Sequence, residues 1–375
     1  MKPLNGIRVL DLTHAHAGPL CTLYLAGMGA EVIKIEPLQG EMNRLFPPLV
    51  KGQSPYFQFL NRGKKGVTLN LKDPRGIQIF KNLVRLCDIV VENFSPGAMD
   101  RLGLGWEEIQ RLNPRIIYCS VSGFGYYGPW KDRKSFDPIA QATSGYSEVA
   151  REEINPKGPP VFCPEAIGDT IPGLTAIIGI LAALNQRQIT GEGQRIDIAQ
   201  MDAMIATMQS FSFHTLANTT YHGQVSRVNV AGLHHVKDGW VVFSLTAGRI
   251  MDSFMAMLGV EEEPTREQVA NWCFDKTRDE VVEILNKIGV PVGPVLKLDE
   301  VQACDHAKVR DMFVNVEHPV LGSFIEPGFP IKSLSWVGDI SAPAPLLGEH
   351  NEEVLRNLLG LSGADVDILL KEGVI

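Results

Sequence analysis

The chain has 375 residues, of which 45% are hydrophobic and 21% charged, a balance that excludes a fibrous or disordered protein and, by length, favours two domains. Its 43 acidic and 35 basic side chains leave a net charge of -8, so no broad basic field exists for nucleic acid and any anionic ligand must be held by local Arg and Lys. The six cysteines include no C-x-x-C pair, residues 1–6 lack the pattern of a secretory leader, and the apolar stretch 171–184 is short for a bilayer. A reducing cytoplasm, with no membrane and no nucleic-acid partner, is the expectation.

In chain order, residues 7–12 form a short apolar run after Gly6 that predicts a buried strand, 19–29 predicts a helix with Pro19 in its first turn, and 31–36 predicts a second strand. The pattern repeats. A strand over 67–71, a helix from Asp73-Pro74 through Leu86 and a strand over 88–93 come next, then a helix over 106–112 and a strand over 115–120. Strands alternating with helices predict an α/β fold: a large doubly wound, mostly parallel sheet covered on both faces, with ligands beyond the carboxyl ends of its strands.

Further on, a nearly uncharged helix is predicted to start near Thr170 with Pro172 in its first turn. A turn at Gly191-Glu192-Gly193, a strand over 195–199 and one long helix over 201–219 follow. Residues 222–233 are polar and turn-prone, and Asp238-Gly239 leads into a strand at 240–244. Two amphipathic helices are expected within 265–288, a strand around 290–296 and charged helices over 348–375. The domains then read as 1–200, completed by 321–375, a helical linker over 201–224, and a small α+β domain over 225–320.

Asp169, in Gly168-Asp169-Thr170-Ile171-Pro172-Gly173, stands at the entry to that apolar helix. A carboxylate there has two available roles. It caps the helix, contributing about 1 kcal/mol through a free backbone N–H, or it acts as a nucleophile.

Four further segments fall where loops or linkers are predicted. They are Val32-Ile33-Lys34-Ile35-Glu36-Pro37 with Gly40 and Arg44; Leu60-Asn61-Arg62-Gly63-Lys64-Lys65 with Leu69-Asn70-Leu71-Lys72; Val91-Glu92-Asn93-Phe94-Ser95-Pro96-Gly97 with Arg101-Leu102-Gly103; and Ser120-Val121-Ser122-Gly123-Phe124-Gly125-Tyr126-Tyr127-Gly128-Pro129. Together with Gly168-Asp169 and the Leu347-Gly348-Glu349-His350 ending, they give a sequence that resembles the family III coenzyme A transferases, the CaiB-BaiF family, over nearly its whole length. The resemblance implies a coenzyme A thioester as substrate, a carboxylic acid as acceptor, no prosthetic group and an interlocked homodimer. It makes Asp169 the nucleophile that forms a mixed anhydride and then an enzyme-bound thioester. It places Arg44, Lys72, Arg101 and Lys134 near the nucleotide, Leu69 and Phe94 against adenine or pantetheine, and Asn93 on the pantetheine arm. The oxyanion donors are expected from the helix start at Asp169 or from the loop 123–128.

The departures narrow the reading. Racemases of the same family carry a histidine base where this chain has Phe136, beside Asp137, and a phenyl ring holds no proton to exchange. Asp137 either orients the site or caps the helix that follows it. Formyl-CoA transferases carry consecutive glycines where this chain has Leu245-Thr246-Ala247-Gly248-Arg249, which argues against formyl and oxalate and offers Arg249 as a candidate carboxylate partner. His16 stands where those enzymes place a glutamine and is expected to donate to the reacting carbonyl. His234-His235 lack partners at metal spacing, and no metal is expected. The alternatives are a 2-methylacyl-CoA racemase and a noncatalytic CoA-binding subunit of a heteromeric transferase.

Overall fold

The computed structural model describes residues 1–217, 230–245 and 248–375. Strands β1 (Arg8–Asp11), β2 (Glu31–Glu36), β3 (Lys65–Thr68), β4 (Ile89–Glu92), β5 (Ile117–Ser122) and β6 (Gln194–Ala199) form one sheet in the order β3-β2-β1-β4-β5-β6. Every pairing in it is parallel. Their aliphatic runs suit a sheet buried on both faces, and neighbouring residues alternate between two cores. Val9, Val91, Ile117 and Cys119 meet helices Ala17–Gly27 and Ile167–Thr190, whereas Leu10, Val90 and Tyr118 meet Pro74–Val84, Trp106–Leu112 and the two C-terminal helices, Asn351–Leu359 and Gly363–Lys371. Leu10, Ile33, Val90 and Ile117 are fully buried, each worth about 1.5–3 kcal/mol relative to exposure.

The strand order reverses between β1 and β4, so the loops leaving those two strands diverge and open a crevice at their carboxyl ends. That crevice holds the site. Several predicted elements shift. The strand expected over 115–120 runs Ile117–Ser122, because the Asn113 side chain donates to Val84 O and Cys87 O and holds 113–116 in a turn. The helix expected from Asp73 is Pro74–Val84, with Asp73 accepting from Arg75 N at 2.8 Å.

Ile167–Thr190 spans 24 residues and contains an 18-residue stretch with a mean hydropathy of 1.8, long and apolar enough to cross a bilayer by composition alone, contrary to the shorter estimate from sequence. In the fold it packs against the sheet, and near its end buried Arg187 pairs with Asp88 at 3.0 Å. The single helix expected over 201–219 breaks into Gln200–Thr207 and Ser210–Ala217, with Met208 extended. Thr207 Oγ1 donates back to Ala203 O and Met204 O in the last turn, a bond that competes with continuing the helix. The part of that prediction at 218–219, most of the 222–233 turn region and linker residues 218–224 lie outside the described residues.

Two compact units emerge: Met1–Gln209 with Val309–Ile375, and Ser210–Lys308. The first therefore takes in 309–320, assigned to the small domain from sequence, because Phe313–His318 (β10) pairs antiparallel with Gly322–Pro327 (β11). In the second unit, Gly232–Val236 (β7), Gly239–Phe243 (β8) and Val292–Pro294 (β9) form an antiparallel sheet. Helices Arg249–Leu258, Arg266–Phe274 and Arg278–Lys287 share its core through Phe254, Val269, Cys273, Val281 and Leu285.

Candidate active site

The Ile167–Thr190 helix starts earlier than its sequence suggested, which places Pro172 inside it. Ala166 enters it at φ 45° with no side-chain cap of its own. The cap comes from elsewhere: Asp137 Oδ1 accepts from Gly168 N at 2.7 Å. A Cβ at Gly168 would lie 2.6 Å from Asp137 O, so this close approach requires glycine. One turn on, a Cβ at Gly173 would lie 2.7 Å from Ala17 O, and its absence lets the helix press against the chain leaving β1.

With the cap supplied by Asp137, the Asp169 carboxylate is left to another partner. Its Oδ1 accepts from Gln200 Nε2, just beyond the end of β6. Asp169 is 7% exposed. Burial, then the charge of Asp137, pushes its carboxyl up to about 7, against the opposing bond from Gln200.

His16 arrives from the loop after β1 and is also 7% exposed. Its Nδ1 lies 2.8 Å from Tyr56 Oη and its Nε2 3.2 Å from Thr170 Oγ1, the residue after Asp169. Burial pulls the imidazole down to about 4 while the Asp137 charge pulls the other way, so His16 is neutral at pH 7. Tyr56 is pushed upward by burial and by the Asp169 charge, and stays protonated.

Asp169, His16 and Gln200 line a cavity of about 440 Å³ together with Asn93, Phe94, Arg101, Lys134 and Phe136. His14, Ala15, Ser122, Gly123 and Arg133 complete much of its wall. A second cavity of about 350 Å³ contains Leu69 and Lys72 and shares Phe94 with the first. Lys72, Arg101 and Lys134 are exposed, while Phe94 is half-buried between the two.

Three expected roles change with these positions. Arg44 lines neither cavity: its guanidinium grips Glu36 through Nε and Nη2 at 2.7 and 2.6 Å and lies 3.9 Å over the Phe57 ring. The Asn93 amide is engaged with the backbone of His14, donating to its O at 2.7 Å and accepting from its N at 2.9 Å. Several of the N–H groups expected as oxyanion donors are occupied too. Gly168 N goes to Asp137, and Asp169 N and Thr170 N go to Ala166 O. In the glycine loop, Gly125 N goes to Ser122 Oγ and Tyr126 N to Asp197 Oδ2. Side-chain donors also stand near Asp169: the Gln200 amide, the Thr170 hydroxyl and the His16 imidazole.

Phe136 is 52% exposed on the cavity wall. Asp137 caps the helix that carries Asp169 and also accepts from Gln141 Nε2 at 2.9 Å. Arg249 belongs to the second unit, where it opens helix Arg249–Leu258. In the stretch read around it, Thr246 and Ala247 lie outside the described residues. Gln200, Thr170 and Tyr56 were not singled out from sequence. Gln200 carried a signal, since it directly follows a strand of a parallel sheet, where ligands are met.

Comparison with known proteins gives the family of the chain. The family model described as CoA-transferase family III matches residues 4–351. A Streptomyces coelicolor protein named formyl-CoA:oxalate CoA-transferase is 35% identical, with 100% of this chain and 99% of that protein aligned. A protein of the same name from Rhodopseudomonas palustris (strain BisA53) is 32% identical, covering 100% and 97%. The crystal structure of a CAIB/BAIF family protein from Brucella suis superposes with a TM-score of 0.82 at 28% identity, covering 95% of this chain and 99% of that one. With Asp169 buried at the mouth of its helix in an α/β sheet of this topology, the chain belongs to CoA-transferase family III, the CaiB/BaiF family, and is a CoA-transferase.

Proposed function

We propose that the protein moves coenzyme A from an acyl-CoA donor to a free carboxylic acid, with Asp169 as nucleophile. The observation that carries this reading is a carboxylate almost out of water on a cavity wall, its basicity raised, flanked by a neutral imidazole and an amide. An Asp169 oxygen attacks the thioester carbonyl, the C–S bond breaks, and the CoA thiolate leaves a mixed anhydride on the enzyme. The thiolate then attacks the aspartyl carbonyl, releasing the first acid and forming an aspartyl–CoA thioester. The acceptor carboxylate attacks that thioester to give a second anhydride and thiolate. Attack of the thiolate on the acceptor's carbonyl yields the new acyl-CoA and regenerates Asp169.

Each tetrahedral intermediate develops an oxyanion, for which side-chain donors are in place. In the tautomer where Tyr56 donates to Nδ1, His16 Nε2 carries the proton and offers it toward the reacting carbonyl. The two cavities meeting at Phe94 suit a long thin pantetheine arm, and Lys72, Arg101 and Lys134 are the cations for its phosphates. A homodimeric partner is proposed to complete the acyl end. A Phe136 side chain where a racemase needs a base supports transfer over epimerisation.

The test is covalent. Incubating the protein with a panel of acyl-CoAs and hydroxylamine should place a hydroxamate on Asp169, detected by peptide mass spectrometry. Absence of any adduct there during measured turnover refutes the nucleophile. Washing deuterium into the acyl α-carbon without an acceptor acid would instead support the racemase.

A further inference from the structure

Between the end of β1 and the helix beginning at Ala17, no backbone polar group of Thr13, His14 or Ala15 is left to the main chain. Each ends on a side chain. Thr13 N donates to Asp11 Oδ1 at 2.9 Å, and Thr13 O accepts from Lys34 Nζ at 2.8 Å. His14 N and O bond the Asn93 amide. Ala15 N donates to Glu41 Oε2 at 3.3 Å, and Ala15 O accepts from Asn43 Nδ2.

The side chains beneath this loop form a buried charge network. Lys34 pairs with Glu41 at 3.2 Å and Lys64 with Asp11 at 3.0 Å, the four side chains being at most 5% exposed. Burying that much charge is costly, and the pairing that offsets the cost holds the loop in one geometry. The geometry is unusual: Ala15 sits at φ 60°, a left-handed conformation that alanine adopts at a cost of about 1 kcal/mol or more. Ala15 immediately precedes His16 and lines the cavity, so its φ sets the direction in which the chain presents the imidazole to Thr170 and Asp169.

We propose that Asn43 and Glu41 are positioning residues for His16, acting by holding Ala15 in the left-handed conformation through its carbonyl and its N–H. Neither side chain lines the cavity, so both act through the loop. The proposal rests on the role given to His16 above.

Asn43→Ala removes the carbonyl donor without changing charge. Its kcat should fall by about tenfold or more, with the acyl-CoA KM held within about twofold, since a misplaced catalytic group costs rate before binding. Adding Ala15→Gly should restore most of the lost kcat, because glycine adopts positive φ unaided. In a His16→Ala background, Asn43→Ala should cause no further loss. A merely structural role would instead leave the double variant Asn43→Ala/Ala15→Gly no better than Asn43→Ala, and that result overturns the proposal. So does unchanged kcat in Asn43→Ala. If Asn43→Ala does not fold, Asn43→Ser is read by the same comparisons. An unimpaired His16→Ala would refute the role of His16, whereas an impaired His16→Ala with an unimpaired Asn43→Ala refutes the clamp alone.

Discussion

Asp137 accepts the N–H of Gly168 at 2.7 Å, so the carboxylate that caps the long helix is supplied by a different element from the one that faces the cavity. The same negative charge raises the Asp169 carboxyl. In Asp137→Asn the side-chain oxygen still accepts from Gly168, but the charge is gone. The acid limb of kcat/KM against pH, governed by ionisation of Asp169 in the free enzyme, should move to lower pH. A limb that stays in place would show that Asp137 does not act electrostatically on Asp169.

Gln200 provides the opposite arm. Its bond lowers the Asp169 carboxyl, so Gln200→Leu should move the acid limb upward and reduce the rate at neutral pH. Opposite displacements for the two variants, in one buffer series, are the expected signature.

Asp169→Asn should abolish transfer, by roughly four orders of magnitude or more for loss of a nucleophile. CoA binding, followed by calorimetry, should persist. Appreciable turnover in the variant would contradict the anhydride route.

His16→Ala removes a neutral donor and is expected to lower kcat by about 10²–10³. His16→Gln, which keeps an N–H on a side chain of similar reach, should retain more activity than His16→Ala. Equal activity in the two would mean that donation from this position is unimportant.

Stability against pH separates Asp169 from His16. The Asp169 pKa is about 7 in the fold against 3.8 otherwise, so the folded state holds the extra proton and stability is lost as pH rises through that window. The His16 pKa is about 4 against 6.5, so the unfolded state holds the extra proton and stability is lost as pH falls between them. The two slopes oppose each other in the intact chain. Relative to the parent, Asp169→Asn should therefore become less stable as pH falls from about 7 to 4, and His16→Gln more stable as pH falls from about 6.5 to 4. Urea titrations across that range read both slopes.

The six parallel strands were legible because strands buried on both faces are written as uninterrupted aliphatic runs. Their ends were less so. Side-chain bonds such as those of Asn113 to Val84 and Cys87 set where β5 begins, and these join residues distant in sequence. At the site, Asp169 and His16 stood out from local pattern and family resemblance. Gln200 did not, since its place beside Asp169 follows only once β6 is docked against β5. The pairing of Arg44 with Glu36 was equally hidden: a cation near a proposed phosphate site and a cation neutralised by its neighbour look alike in a one-dimensional chain.

The cavity stands at the carboxyl edge of the sheet, and among the described residues of its wall only Val121 and Ser122 come from a strand. Selection for substrate choice and selection for thermal endurance thus act on nearly separate letters of this protein. Randomising His14, Ser95, Arg133 and Phe136, none of them buried, should yield libraries rich in altered acyl preference and poor in misfolded members.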